Sequence, residues 1–335
     1  MEKVKRRDKI ARKPAKQAEP PEPIQIEGAR TGVYLYCIFH GGEYAFALEK
    51  GIDNANAIFS IKYGDIEALA SYVPLNEYDE PSLERNLQDL KWIAPRAQAH
   101  ERIIESVMRF CTVIPIKFCT IFTDEFKVSE ILKQNFEKFK SLLDYLNDKQ
   151  EWGIKVYVDG SKISEVDFDE FSSRLRRDFD ELSRVAQSSR FTETFGEALG
   201  ESSAEIKELD GKVSVASEGA AYFLKKKRDV MLKENAEKIL RALTEKIFEK
   251  LRSWSVESRR NKLLGRQSTG RNDDMILNVA ILLTRSDVEK VKSQIDKLAA
   301  GYSSKGFIFE LSGPWPPYNF CTERIEGVQS TEGVE

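Results

Sequence analysis

The sequence predicts an α+β fold of two domains, an N-terminal α+β sheet domain followed by a C-terminal ferredoxin-like (βαββαβ) domain that carries a helical insertion. Three observations predict it. The 335 residues exceed the ~250–300 that one hydrophobic core organises. Strand-length apolar runs at 33–39, 57–62 and 66–73 are joined by connections too short to hold a helix, which selects hairpin or meander pairing over a parallel crossover. From residue 151 onward the patterns follow in the order β-α-β-β-α-β, the split-βαβ arrangement of an antiparallel sheet with two helices on one face.

Residues 1–30 form a basic, Pro-rich tail, with Lys3, Lys5, Arg6 and Arg7 near its start and Pro20-Pro-Glu-Pro23 near its end. Such a segment buries too little apolar surface to offset its ordering entropy. The first domain spans 31–150. Val33–Phe39 is its first strand, and Tyr63-Gly-Asp65 turns the second strand, 57–62, into the third, 66–73, which Pro74 ends. Ser82 caps a helix over 83–92, and Pro95 suits the first turn of another running to Met108, with Ile103, Ile104 and Val107 on its apolar stripe. Residues 113–122 read as one strand, with Pro115 demanding an edge or a bulge. Thr123 or Asp124 then starts a helix through Asn147.

The second domain spans 151–322. Residues 151–158 are β-branched and aromatic, hence a strand. A charged stretch, 162–218, is the variable insertion, one or two amphipathic helices and a loop. Ser217 caps a long helix from Gly219 to about Arg252, with Leu240, Leu243, Ile247 and Leu251 on one stripe. A strand at 254–258, a connection at 265–273, a strand at 275–284, a helix at 287–300 and a last strand at 307–311 complete the pattern, and 323–335 is a tail. Ser312-Gly-Pro314 should stop the last strand, since Gly frees the backbone and Pro removes an amide. Trp315, Tyr318 and Phe320 then ride on a stiff Pro316-Pro317 frame, as a docking surface or as a plug over a core.

Composition excludes several function classes. The net charge of -3 gives no overall pull toward nucleic acid or anionic membrane. No apolar run approaches the ~20 residues of a membrane span, and the basic N-terminus lacks the apolar core of a secretory signal. Cys37, Cys111, Cys119 and Cys321 lie far apart inside apolar runs, as buried thiols of a reducing cytoplasm do. His100-Glu101 has no second His four residues on, so the metalloprotease helix is absent, and a structural hydrogen bond is the expectation for His100. Gly265-Arg-Gln-Ser-Thr-Gly270 lacks the Gly-Lys-Ser/Thr ending of a phosphate loop. No catalytic, cofactor or metal set emerges, and Lys225-Lys-Lys-Arg228 reads as a solvated basic face or one for an acidic partner.

Six blocks in order resemble the gas vesicle GvpL/GvpF family: Gly32-Val-Tyr-Leu-Tyr36; Ala99-His-Glu-Arg102 followed by Val113-Ile-Pro-Ile-Lys-Phe118; Glu151-Trp-Gly-Ile-Lys-Val156; Gly219-Ala-Ala-Tyr-Phe-Leu-Lys-Lys-Lys-Arg228; Leu277-Asn-Val-Ala280; and Gly313-Pro-Trp-Pro-Pro-Tyr-Asn-Phe320. The resemblance implies a non-enzymatic accessory protein of gas vesicle formation, acting in the cytoplasm on the vesicle. Its partners would be the hydrophobic shell protein GvpA and other accessory proteins, with no cofactor, nucleic acid or membrane span. A minor structural role in the shell is the alternative, and a small-molecule enzyme on a ferredoxin-like scaffold a remote one. The partner-binding or family-motif candidates are Trp152, Gly153, Lys155, Gly219, Tyr222, Leu224, Gly313, Pro314, Trp315, Pro316, Pro317, Tyr318 and Phe320.

Overall fold

The computed structural model describes residues 30–42, 44, 50–159 and 205–325. The expected N-terminal tail up to residue 29, the insertion through 204 and the tail beyond 325 lie outside the described residues. The chain divides into two compact units, one running to Glu151 and resuming at Pro314, the other Trp152–Gly313.

In the first unit β1 (Thr31–His40) is buried from Gly32 to Phe39, as expected of an apolar run with neighbours on both sides. β2 (Ile58–Tyr63) and β3 (Ile66–Pro74) form a hairpin, and Gly64 supplies the left-handed φ of +59° that its tight turn requires. The sheet is not a simple meander, because β3 returns to pair antiparallel with β1 and gives the order β2-β3-β1-β4. The β1–β3 register shifts between Leu35 and Cys37, which leaves Tyr36 as the bulged residue.

The helical stretch differs from expectation in its starts. Helix α1 (Leu75–Tyr78) precedes α2 (Glu80–Asn86), which starts before the expected 83 because the Asp79 carboxylate accepts the Ser82 N–H at 3.0 Å and takes the cap role expected of Ser82, and the expected helix 83–92 is broken at residues 87–89. Asp89 caps α3 (Leu90–Met108) through the Lys91 N–H at 2.9 Å, so Pro95 lies beyond the first turn of that helix. The expected strand 113–122 is broken into β4 (Val113–Pro115), at the edge of the sheet as Pro115 requires, and β5 (Ile121–Phe122). A turn closed by Thr120 N–H on the Lys117 carbonyl, with Cys119 at φ +62°, separates them. The expected helix 124–147 is likewise two, α4 (Glu125–Gln134), capped by Asp124, and α5 (Phe136–Leu146). Asn135 breaks them, its side chain donating to the Ile131 carbonyl in competition with the helix ladder.

The second unit holds a sheet of order β7-β8-β6-β9, from β6 (Lys149–Val158), β7 (Glu257–Arg260), β8 (Asp274–Thr284) and β9 (Phe307–Trp315). Helices α6 (205–215), α7 (Glu218–Trp254), the single turn α8 (Arg266–Thr269) and α9 (Val288–Tyr302) complete it. Strand β7 starts only at Glu257, because Trp254 ends α7 packed against the core instead of opening a strand at 254. Ser217 stands at the N-cap of α7 but makes no side-chain cap bond. The core joins Leu243, Ile247 and Leu251 of α7, Val291 and Ile295 of α9, and the inward residues of β6 and β8. Fully burying each such side chain contributes about 1.5–3 kcal/mol.

Two expectations about the C-terminal segment are corrected. Ser312-Gly-Pro314 does not stop β9, which runs on to Trp315. Gly313 takes φ +134°, open only to glycine, and β9 is an edge strand where a missing proline N–H leaves no ladder bond broken. Residues 314–322 also do not belong to the second unit. They pack with the first, because α10 (Tyr318–Cys321) places Phe320 and Cys321 fully out of water and seats Tyr318 on the first unit's core.

Candidate functional site: an anchored C-terminal motif

The site is built outward from β1. Its alternation sends Tyr34 and Tyr36 into the first unit's core, both wholly buried, and a buried phenol must find hydrogen-bond partners. Tyr36 accepts the Ile52 N–H at 2.7 Å and shares a 2.7 Å hydrogen bond with the Ser71 hydroxyl. The approach leaves no room at Gly51, where a Cβ would stand 2.3 Å from Ser71 Oγ. Tyr34 accepts the Cys119 N–H at 2.9 Å, so its own proton turns to His100 Nδ1, also at 2.9 Å.

That fixes the imidazole. Burial pushes the His100 pKa down from 6.5 to about 4, so the ring is neutral. With Nδ1 accepting, Nε2 carries the hydrogen and faces the Ile116 carbonyl at 3.1 Å and the Tyr318 hydroxyl at 3.0 Å. Tyr318 then donates to Glu101 Oε1 at 3.0 Å. Burial, then the Glu101 charge, raises the Tyr318 pKa, while burial raises that of Glu101. Next along, the Asn319 backbone N–H and side-chain amide donate to the two oxygens of Glu151, at 3.1 and 2.6 Å. Glu151 is buried, so these bonds act in a low-dielectric setting. Thr322 closes the turn onto the Tyr318 carbonyl at 2.8 Å.

The motif is therefore anchored at one end and open at the other. Pro316, Pro317 and Phe320 are buried, and Tyr318 and Asn319 are held by hydrogen bonds. Pro314 is exposed and Trp315 is 41% exposed. As chemistry, the arrangement is a strut: both His100 nitrogens are taken up by hydrogen bonds to Tyr34, Ile116 and Tyr318. The four cysteines are free thiols, and burial pushes Cys111 and Cys119 up to about 12, away from reactivity. Among the described residues no group of three His, Cys, Asp or Glu could hold a metal, and no helix is long and apolar enough to cross a membrane.

The other sequence candidates do not converge on the motif. Trp152 is buried in the second unit's core under Lys292, whose Nζ lies 4.5 Å from the ring centroid. Gly153 and Lys155 continue β6, half-buried. Gly219 and Tyr222 are exposed on α7, and Leu224 is half-buried there. Gly313 lies at the bend of β9. Tyr34, His100, Glu101, Glu151 and Asn319 stand inside the motif blocks, yet no sequence signal assigns them as the anchor. Their separation in the chain hides the pairing.

The two compact units mix helix and sheet, and the C-terminal motif combines a polar anchor with an exposed aromatic end. The chain belongs to the gas vesicle synthesis protein GvpL/GvpF family, whose sequence pattern matches residues 32–322. Gas vesicle protein L from a Streptomyces species is 24% identical over 272 residues, covering 81% of this chain and 86% of that protein. Gas vesicle protein L1 of Halobacterium salinarum is 19% identical over 318 residues, covering 93% and 98%. The fold is similar to the crystal structures of GvpF from Anabaena sp. PCC7120, with a TM-score of 0.53 at 16% identity, and from Microcystis aeruginosa, 0.54 at 17%. The likeness covers 87% of this chain in both cases, and 96% and 98% of those chains.

Proposed function

We propose that this chain is a non-enzymatic accessory protein of gas vesicle formation that binds the shell protein GvpA and other accessory proteins in the cytoplasm during assembly. The observation that carries the reading is the C-terminal motif, pinned by His100, Glu101 and Glu151 while Trp315 stays 41% exposed. A rigid segment that presents an aromatic has little entropy left to lose on binding, and binding energy concentrates at such residues. A shell subunit needs such a binder, since its apolar surface and strand edges aggregate if left uncovered. We also read the second unit as ferredoxin-like. Its strand order, β7-β8-β6-β9, is the one that a βαββαβ chain adopts, which supports that reading.

The test is co-purification of GvpA with the full chain and with Trp315→Ala. Loss of about tenfold in affinity or more, with unchanged circular dichroism and melting temperature, supports the reading. Undiminished binding by the folded variant overturns it.

A further inference from the structure

The first half of α7 leaves large apolar groups in water. Tyr222 is 65% exposed, Phe223 71% and Val230 52%, and the Tyr222 and Phe223 rings meet edge to face with centroids 5.8 Å apart. The second unit's core does not use this part of the helix; its contacts come from Leu243, Ile247 and Leu251 further along. Nor can the helix roll to hide the stripe. Leu224 and Arg228 point the other way, Arg228 Nε lies 2.6 Å from Asp210 of α6, and Asn235 is buried.

Helical spacing sorts the exposed residues. Phe223, Lys226, Lys227 and Val230 fall at i, i+3, i+4 and i+7, with Tyr222 and Lys233 beside them, so three apolar groups and three lysines share one face, which Glu234 closes one turn beyond Val230. Arg228 has carboxylate partners in Asp210 and Asp229. Among the described residues no ion pair engages Lys226, Lys227 or Lys233, and the Lys227 charge acts on Glu208 of α6. Lysines outside ion pairs, interleaved with aromatics one turn apart, match a surface whose carboxylates repeat at the same turn, the helix-in-groove mode of recognition. A lipid surface is a poorer match. The exposed Glu218, Asp229 and Glu234 on the same segment largely offset the lysines when averaged over a plane of anionic headgroups. A partner helix meets the lysines one by one.

We propose that this face of α7 docks an acidic amphipathic helix of another vesicle-assembly protein, with apolar side chains against Tyr222, Phe223 and Val230 and carboxylates on Lys226, Lys227 and Lys233. The identity of the partner as a vesicle-assembly protein rests on the accessory role above; the acidic helical chemistry does not. The probe is a synthetic amphipathic helical peptide with leucine on one stripe and glutamate flanking it, titrated into the full chain and followed by fluorescence anisotropy at low and at moderate salt. Its mirror control carries lysine in place of glutamate.

The glutamate peptide binds, and salt weakens it. Phe223→Ala lowers affinity by about tenfold or more, and Lys226→Glu with Lys227→Glu transfers the preference to the lysine peptide. Equal binding of both peptides, binding of neither, or binding only to phosphatidylserine vesicles overturns the proposal. Gas vesicle yield in cells complemented with the same variants separates the two readings. A chain that ignores the glutamate peptide yet is required for vesicles loses the docking face and keeps the accessory role. One that binds the peptide yet is dispensable for vesicles loses the accessory role and keeps the face.

Discussion

Tyr318→Phe removes one hydroxyl from the anchor and leaves the ring in place. That hydroxyl donates to Glu101 Oε1 and receives His100 Nε2–H, each at 3.0 Å. The imidazole keeps the Ile116 carbonyl at 3.1 Å, so its share of the loss is small. Glu101 loses a donor to a part-buried carboxylate, and hydrogen bonds to charged groups are worth about 1.5–3 kcal/mol net. The first unit should therefore lose about 2 kcal/mol. Burial raises the Glu101 pKa and the Tyr318 hydrogen bond opposes that rise, so the variant raises it further. A carboxyl whose folded pKa lies above its unfolded value gives stability that is full below the unfolded value and lost as pH rises through the folded one. The penalty must consequently be smaller in acid than at neutral pH. Urea unfolding followed by tryptophan fluorescence reads it, and with a slope of ~1–3 kcal/mol per molar the midpoint falls by roughly 1 M. An unchanged midpoint at neutral pH, or a larger loss in acid, would refute the anchor as described.

His100, held neutral with its pKa down from 6.5 to about 4, gives stability that is present above 6.5 and lost as pH falls through about 4. At about 1.4 kcal/mol per pH unit this is worth ~3 kcal/mol, and the acid limb of a stability-versus-pH curve should flatten in His100→Gln. Gly51→Ala drives a methyl to 2.3 Å from Ser71 Oγ and 2.9 Å from the Tyr36 hydroxyl and should cost about 1–3 kcal/mol in thermal or urea melts.

How far the sequence reveals this molecule depends on the range of the interaction. Periodicity suffices for the buried run of β1, the Gly64 hairpin and the Leu243-Ile247-Leu251 stripe, because each is a local pattern facing one core. It misplaces starts and breaks where side chains compete for the same backbone group, as Asp79 does with Ser82 and Asn135 does with the α4 ladder. Ser312-Gly-Pro314 reads as a stop because a proline usually ends a strand; only the edge position of β9 and the φ of Gly313 let it pass. The anchor is the least legible part. His100 and Tyr318 are 218 residues apart, and the blocks containing them announce that something is held there without saying what. The expected placement of 314–322 in the second domain fails for the same reason.

We propose that the exposed end of the anchored motif is what the protein works with. Cells lacking this chain, complemented with either the wild-type or the Trp315→Ala protein, test it most directly through vesicle yield by light scattering and electron microscopy. Abundant vesicles are expected with wild type, and few or none with a Trp315→Ala chain that is expressed and folded. Equal yields from the two would contradict it.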